Sequence, residues 1–202
     1  EHLLWVNPVS SNTPACSYAV LAAQEIQGEA QALRTAFDGL ARQAPQGEAS
    51  SVAFAEFVNQ WLGGLERLRW PGLEKPLREA TTRQAQPAFA RAPSGQTKQA
   101  WLAHWSALRA LAVQPEGSSP PTPGQAAVPI ETYLRGRGQM ALAERWRERV
   151  MQADAALQLV QPGDARRVEA AASALKAVTA LMQAEVAPAL EVSIGFSSAD
   201  GD

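Results

Sequence analysis

The chain has 202 residues, 46% of them apolar, with a net charge of −2. That is enough length and apolar material for one or two domains with a real core. A charge so near zero leaves no broad basic field to hold nucleic acid or an anionic membrane surface. No apolar run reaches the 18 residues that a membrane-spanning helix needs. The single cysteine, Cys16, excludes an internal disulfide and reads as a small thiol buried on a helix.

Abundant Ala and Gln, with scarce Ile, Thr and Tyr, favour helix over sheet. Residues 6–13 read as a loop that closes on Thr13 as N-cap, with Pro14 in the first helical position. Ala19, Ala23, Ile26, Ala30, Leu33, Phe37 and Leu40 then recur at spacings of four and three, which is one stripe of a helix. Pro45-Gln46-Gly47 ends it. A second helix is predicted from Ser50 or Ser51, with Phe54, Val58, Trp61, Leu65 and Leu68 as its apolar stripe. Gly63-Gly64 inside it predicts a close helix–helix approach. Trp70-Pro71-Gly72 is expected to break this helix, leaving residues 71–93 as a long irregular connection.

Ser94 is the expected cap of a third helix carrying Trp101, Leu102, Trp105, Leu108 and Ala112. Residues 114–129, rich in Pro, Gly and Ser, read as a flexible connector. A short turn at 130–134 leads to a fourth helix with Leu142, Trp146, Val150, Ala153, Leu157 and Val160 facing inward. Pro162-Gly163 stops it and Asp164 caps a fifth, whose last turns Pro188 is expected to kink. The fold class is therefore all-α, an antiparallel helical bundle of four long helices. A solenoid is the alternative, but no repeating period supports it.

No complete catalytic or metal set is legible. The histidines are His2 and His104, and no His-Glu-x-x-His pair can be drawn. His104 reads as a surface or half-buried side chain. Trp61, Trp101, Trp105 and Trp146 lie on helical stripes and read as core anchors. The tail from Val192 to Asp202 combines Phe196, Ser197, Ser198, Asp200 and Asp202 around two glycines. It reads either as a segment docked near a polar site or as a solvated acidic end.

The ending Gly195-Phe-Ser-Ser-Ala-Asp-Gly-Asp202 resembles the tail of imelysin-like proteins, the iron-regulated, M75-peptidase-like group. Glu1-His2-Leu3-Leu4-Trp5 resembles the segment that closes that family's Gly-x-His-x-x-Glu signature, with Glu1 as its glutamate. Cys16-Ser-Tyr-Ala19, Leu73-Glu-Lys-Pro-Leu77 and Arg91-Ala-Pro-Ser-Gly95 resemble further stretches in the same order. The similarity spans essentially the whole chain and is closest to the periplasmic, lipoprotein-like branch.

The resemblance implies one lobe of a two-bundle fold, with a helical lobe and the signature His ahead of Glu1. It also implies export to the periplasm by a signal peptide, an upstream lipid anchor, and a role in iron acquisition or iron-regulated envelope function. It makes Glu1, Asp200 and Asp202 the metal candidates, with Fe or Zn as the ion. Trp5, Arg91, Ser94 and Ser197 become ligand-binding candidates at the junction with that lobe. From the residues alone, Glu1 reads as a helix carboxylate in a cap or salt bridge. Arg91 reads equally as an ion-pair partner pinning the 71–93 stretch. The implied function is a periplasmic binding protein for a metal ion or an envelope protein. The alternatives are an M75-type peptidase and a helical interaction scaffold without a small ligand.

Overall fold

The computed structural model describes residues 14–42, 46–119, 121 and 127–195. The chain divides into two compact units, 1–51 and 52–202. All regular structure among the described residues is helical, and the second unit is a helical bundle. None of the described helices is long and apolar enough to cross a membrane.

In the first unit, α1 (Pro14–Ala41) begins at the proline that the sequence marks as the first helical residue. Its stripe is not the buried seam that its periodicity suggests. Ile26, Leu33, Phe37 and Leu40 are all exposed, and Cys16 is half-buried rather than buried. Apart from α1, this unit's described residues supply only the first residues of the next helix to cover that stripe.

The bundle starts with α2 (Glu48–Arg69), two residues ahead of the expected Ser50. The helix does not break at Trp70-Pro71-Gly72. It widens into one π-helical turn, Trp70–Glu74, and continues as α3 (Lys75–Arg83). Pro71 has no N–H to give, and its ring would strike the carbonyl one turn back. Opening the turn, with the Lys75 N–H donating to the Trp70 carbonyl, accommodates both defects. Most of the predicted irregular connection is therefore helix. It stops at Gln84, which adopts a left-handed conformation (φ 50°). The N–H groups of Gln84 and Ala85 then satisfy the carbonyls of Thr81 and Ala80.

The loop that follows folds Phe89 edge-on against Trp101, 5.0 Å between centroids. α4 (Thr97–Ala112) has Gln96, not Ser94, at its N-cap. α5 (Ile130–Gly136), α6 (Met140–Leu159) and α7 (Ala165–Leu181) complete the bundle. Asp164 caps α7 as expected, accepting from the Arg167 N–H at 3.2 Å. A second π-helical turn, Met182–Val186, comes just before Pro188, which lies in α8 (Ala187–Ala189).

The two prolines thus lie in or just after an opened turn. A turn opened by one residue keeps a helix running where a break would expose backbone polar groups. Gly64 meets the predicted close approach. A Cβ built there would lie 3.0 Å from Leu108 Cδ2 on α4. Gly63 borders open space and serves no such purpose.

The four expected tryptophans are core anchors. Trp61 and Trp146 pack at 5.4 Å, and their indole N–H groups donate to the carbonyls of Leu108 and Ala112, both at 2.9 Å. The Ala112 carbonyl ends α4 and has no helical partner, so Trp146 satisfies a group that would otherwise be buried unpaired. Trp105 donates to Asp154 Oδ1 at 2.8 Å.

Candidate functional site

Glu1, Trp5, Ser197, Asp200 and Asp202 lie outside the described residues. Arg91 and Ser94 lie inside and share one tight turn. Arg91 is left-handed (φ 62°), and its carbonyl accepts from Ser94 Oγ at 3.1 Å and from the Gln96 N–H at 3.2 Å. Thr97 Oγ1 donates to the Ala90 carbonyl at 2.8 Å and closes the same turn. The Arg-x-x-Ser-Gly stretch therefore forms a compact lead-in to α4, and the Ser94 hydroxyl is engaged with backbone.

The approach to the tail is anchored. After α8 the chain reverses through Glu191 in a left-handed conformation (φ 58°), buries Val192, and packs Ile194 against the core. Asn59 on α2 then grips the backbone at two points. Its Nδ2 donates to the Ser193 carbonyl at 3.1 Å, and its Oδ1 accepts from the Gly195 N–H at 2.9 Å. A second donation, to Ala55 O at 2.9 Å, fixes the amide's orientation. Asn59 sits at an unremarkable position on the sequence, and no spacing rule would have selected it.

A groove of about 560 Å³ opens where α3 runs beside α7. Its floor is Leu77 and Ala172. One wall carries Glu74, Arg78, Thr81 and Thr82; the other carries Glu169, Ser173 and Lys176. Spacings of four and three put each polar set on one face of its helix. Thr81 and Thr82 spend their hydroxyl protons on the carbonyls of Leu77 and Arg78, at 3.0 and 2.9 Å. Their oxygens keep lone pairs for other donors.

A buried ion network stands behind one end of this groove. Glu66, 3% exposed, accepts from Thr179 Oγ1 at 2.6 Å and from Arg69 Nε at 2.9 Å, with Arg69 Nη2 donating to the same carboxylate oxygen as Nε. Arg69 Nη1 also donates to Glu74 Oε1 at 2.7 Å. Glu74 in turn faces Arg78 at 3.8 Å, and the Arg78 guanidinium lies 5.0 Å over the Trp70 ring. The network thus locks the π-helical turn to α7 and orients two groove residues.

A second buried carboxylate, Glu131, holds α5 to α6. It accepts two bonds from Arg147, at 2.9 and 2.6 Å, two from Arg135, at 3.0 and 2.8 Å, and one from the Gln114 N–H at 3.1 Å. Burial alone would push its carboxyl up. The bonds from Arg147, Arg135 and Gln114 outweigh that and hold it below the ordinary value. His104, half-buried as expected, is pushed down by burial, opposed by a backbone bond at Gly64 and reinforced by the nearby Arg67 charge.

The sequence did carry a signal for these two acids. Glu66 precedes Arg69 by three residues and Glu131 precedes Arg135 by four, both on apolar helix faces. Comparison with family models, curated proteins and solved structures finds no match to this chain.

Proposed function

We propose that this chain is an imelysin-like periplasmic binding module that holds its ligand, a metal ion in the first instance, next to the acidic tail. The observation that supports this reading best is the two-point grip of Asn59 on Ser193 and Gly195. A chain end is ordinarily frayed unless something ties it down. Here the backbone is tied at Gly195, the residue that opens the Gly-Phe-Ser-Ser-Ala-Asp-Gly-Asp segment.

The donors in this chain, Glu1, Asp200 and Asp202, are carboxylates. They suit Fe or Zn in company with an imidazole, and the resemblance supplies one as the signature His ahead of Glu1. An ion bound there would act as a Lewis acid or as an ordering centre. The chain's own contribution would be its carboxylate donors and a backbone anchored at Gly195. Association with iron supply or an iron-regulated envelope function follows from the resemblance, as does export to the periplasm.

The test is a calorimetric titration with Fe and Zn of the longest natural chain that carries this sequence. Glu1→Gln and the double variant Asp200→Asn/Asp202→Asn are run beside it. Stoichiometric binding that both variants lose carries the reading. No binding in the unmodified protein sinks it.

A further inference from the structure

We propose that the groove between α3 and α7 binds a short extended peptide, about three residues long, by its free termini. The peptide's carboxylate would sit at Lys176 and Arg78 and its ammonium at Glu169. The inference is independent of the tail site.

The first argument is charge. Lys176 and Glu169 line the groove, and neither forms an ion pair with another described residue. Of the other charges at the groove, Glu74 is held by Arg69, while Arg78 faces Glu74 only at 3.8 Å and stays mostly exposed, open to a second anion. Lys176 lies one turn from Thr179, which bonds Glu66, so it stands at the end backed by the buried network. That end holds Arg69, Arg78 and Lys176 against Glu66 and Glu74, one positive charge in excess. Among the residues that line the groove, the other end carries Glu169 alone. The groove is therefore polarised along its length, and a ligand with opposite charges at its two ends fits that field in one orientation.

The second argument is length. Glu169 and Lys176 are seven residues apart on one helix, and at 1.5 Å per residue that is about 10 Å. An extended chain covers roughly 3.3–3.6 Å per residue, so about three residues bridge the two charges. A single amino acid, whose ammonium and carboxylate sit on one carbon, cannot reach both.

The third argument is the surface between the charges. The Thr81 and Thr82 oxygens, with their protons already committed, offer lone pairs to an ammonium or to backbone N–H groups. Leu77 and Ala172 give small side chains an apolar floor. A groove of about 560 Å³ accommodates a peptide of this size. The walls are set in advance, because the Glu66–Arg69–Glu74 chain and the Trp70 ring fix Glu74 and Arg78. A π-helical turn sits at its end, as such turns do at many binding sites.

The experiment titrates the full chain with tri-alanine, followed by NMR amide shifts and calorimetry. N-acetyl-tri-alanine, tri-alanine amide and free alanine serve as comparisons. Saturable tri-alanine binding is expected, with shifts at residues 77–82 and 169–176. Each blocked peptide should bind at least tenfold more weakly, and alanine should not bind. Lys176→Met should weaken tri-alanine at least tenfold while leaving tri-alanine amide unaffected. Glu169→Gln should do the same while leaving the acetylated peptide unaffected. Both side chains are exposed, so these variants keep the fold, and unchanged thermal midpoints verify it. Tri-alanine that does not saturate, or blocked peptides that bind as well as the free one, would overturn the proposal. So would shifts confined to residues outside the groove.

Discussion

Glu66 and Glu131 are both nearly inaccessible carboxylates on apolar helix faces, yet they are built for different ends. Glu131 gathers five bonds from two arginines and a backbone N–H, and every donor near it is committed to it or to a close neighbour. It is a densely bonded knot joining α5, α6 and the chain after α4, and through Arg135 it continues to the exposed Glu144. Glu66 shares its one arginine with Glu74, which lines an open groove. The first carboxylate is held by two arginines at once; the second depends on a single arginine, which it shares with the wall of the groove between α3 and α7. A buried charge with many donors can lose one and stay paired, whereas one that relies on a single shared arginine ties the core to the shape of a surface.

The largest effect should come from breaking the Glu131 knot. Glu131→Ala leaves Arg147 without a carboxylate and the Gln114 N–H without its acceptor, while Arg135 keeps Glu144. Uncompensated buried charge typically costs about 3–5 kcal/mol, and urea melts should show a loss near the middle of that range. Glu66→Ala should cost less, about 2 kcal/mol, because Arg69 keeps Glu74 and the Thr179 hydroxyl can turn to a carbonyl of its own helix. Equal losses would erase the distinction between the two networks.

Acid sharpens the comparison further. Glu131 is held below its ordinary value in the folded state. It therefore contributes stability that is complete above the ordinary carboxylate range, near pH 4, and is lost as the pH falls through the depressed folded value. Urea midpoints measured from pH 6 to pH 3 should fall steeply in the native protein and less steeply in Glu131→Gln. His104 has the same sign at a higher window. It is pushed down in the folded state, so its stabilising share is full above about pH 6.5 and fades as acid protonates it. His104→Gln should flatten the gentler slope between pH 7 and pH 5, and an unchanged slope would remove His104 from the account.

Much of the bundle was legible. Apolar spacing selected the α2, α4, α6 and α7 faces, the tryptophan anchors, the Asp164 cap and the Gly64 contact, because each rests on local periodicity or a single close approach. The helix through Pro71 was not legible. A proline reads as a stop in any local rule, and only the packing of Leu73, Leu77 and Ala80 makes an opened turn worth keeping. The burial of the α1 stripe was expected from the same periodicity that worked elsewhere, but periodicity specifies a face and not its partner. The groove was invisible in sequence because it lies between two helices about ninety residues apart, and no spacing rule spans that distance.

The smallest change probes the joint between the two halves of the open network. Thr179→Val keeps shape but removes the one hydroxyl that bonds Glu66 Oε1 inside the core. A buried acceptor left without its donor costs about 1–3 kcal/mol. The loss should fall at the lower edge, since Arg69 still neutralises the carboxylate through its other oxygen. The groove wall should be indifferent, because Arg69 continues to hold Glu74. Tri-alanine affinity in Thr179→Val should therefore stay within twofold of the native protein while the thermal midpoint drops by a few degrees. If affinity fell along with stability, the wall would owe its geometry to Glu66 through Thr179, and the open network would have to be counted as part of the binding surface itself.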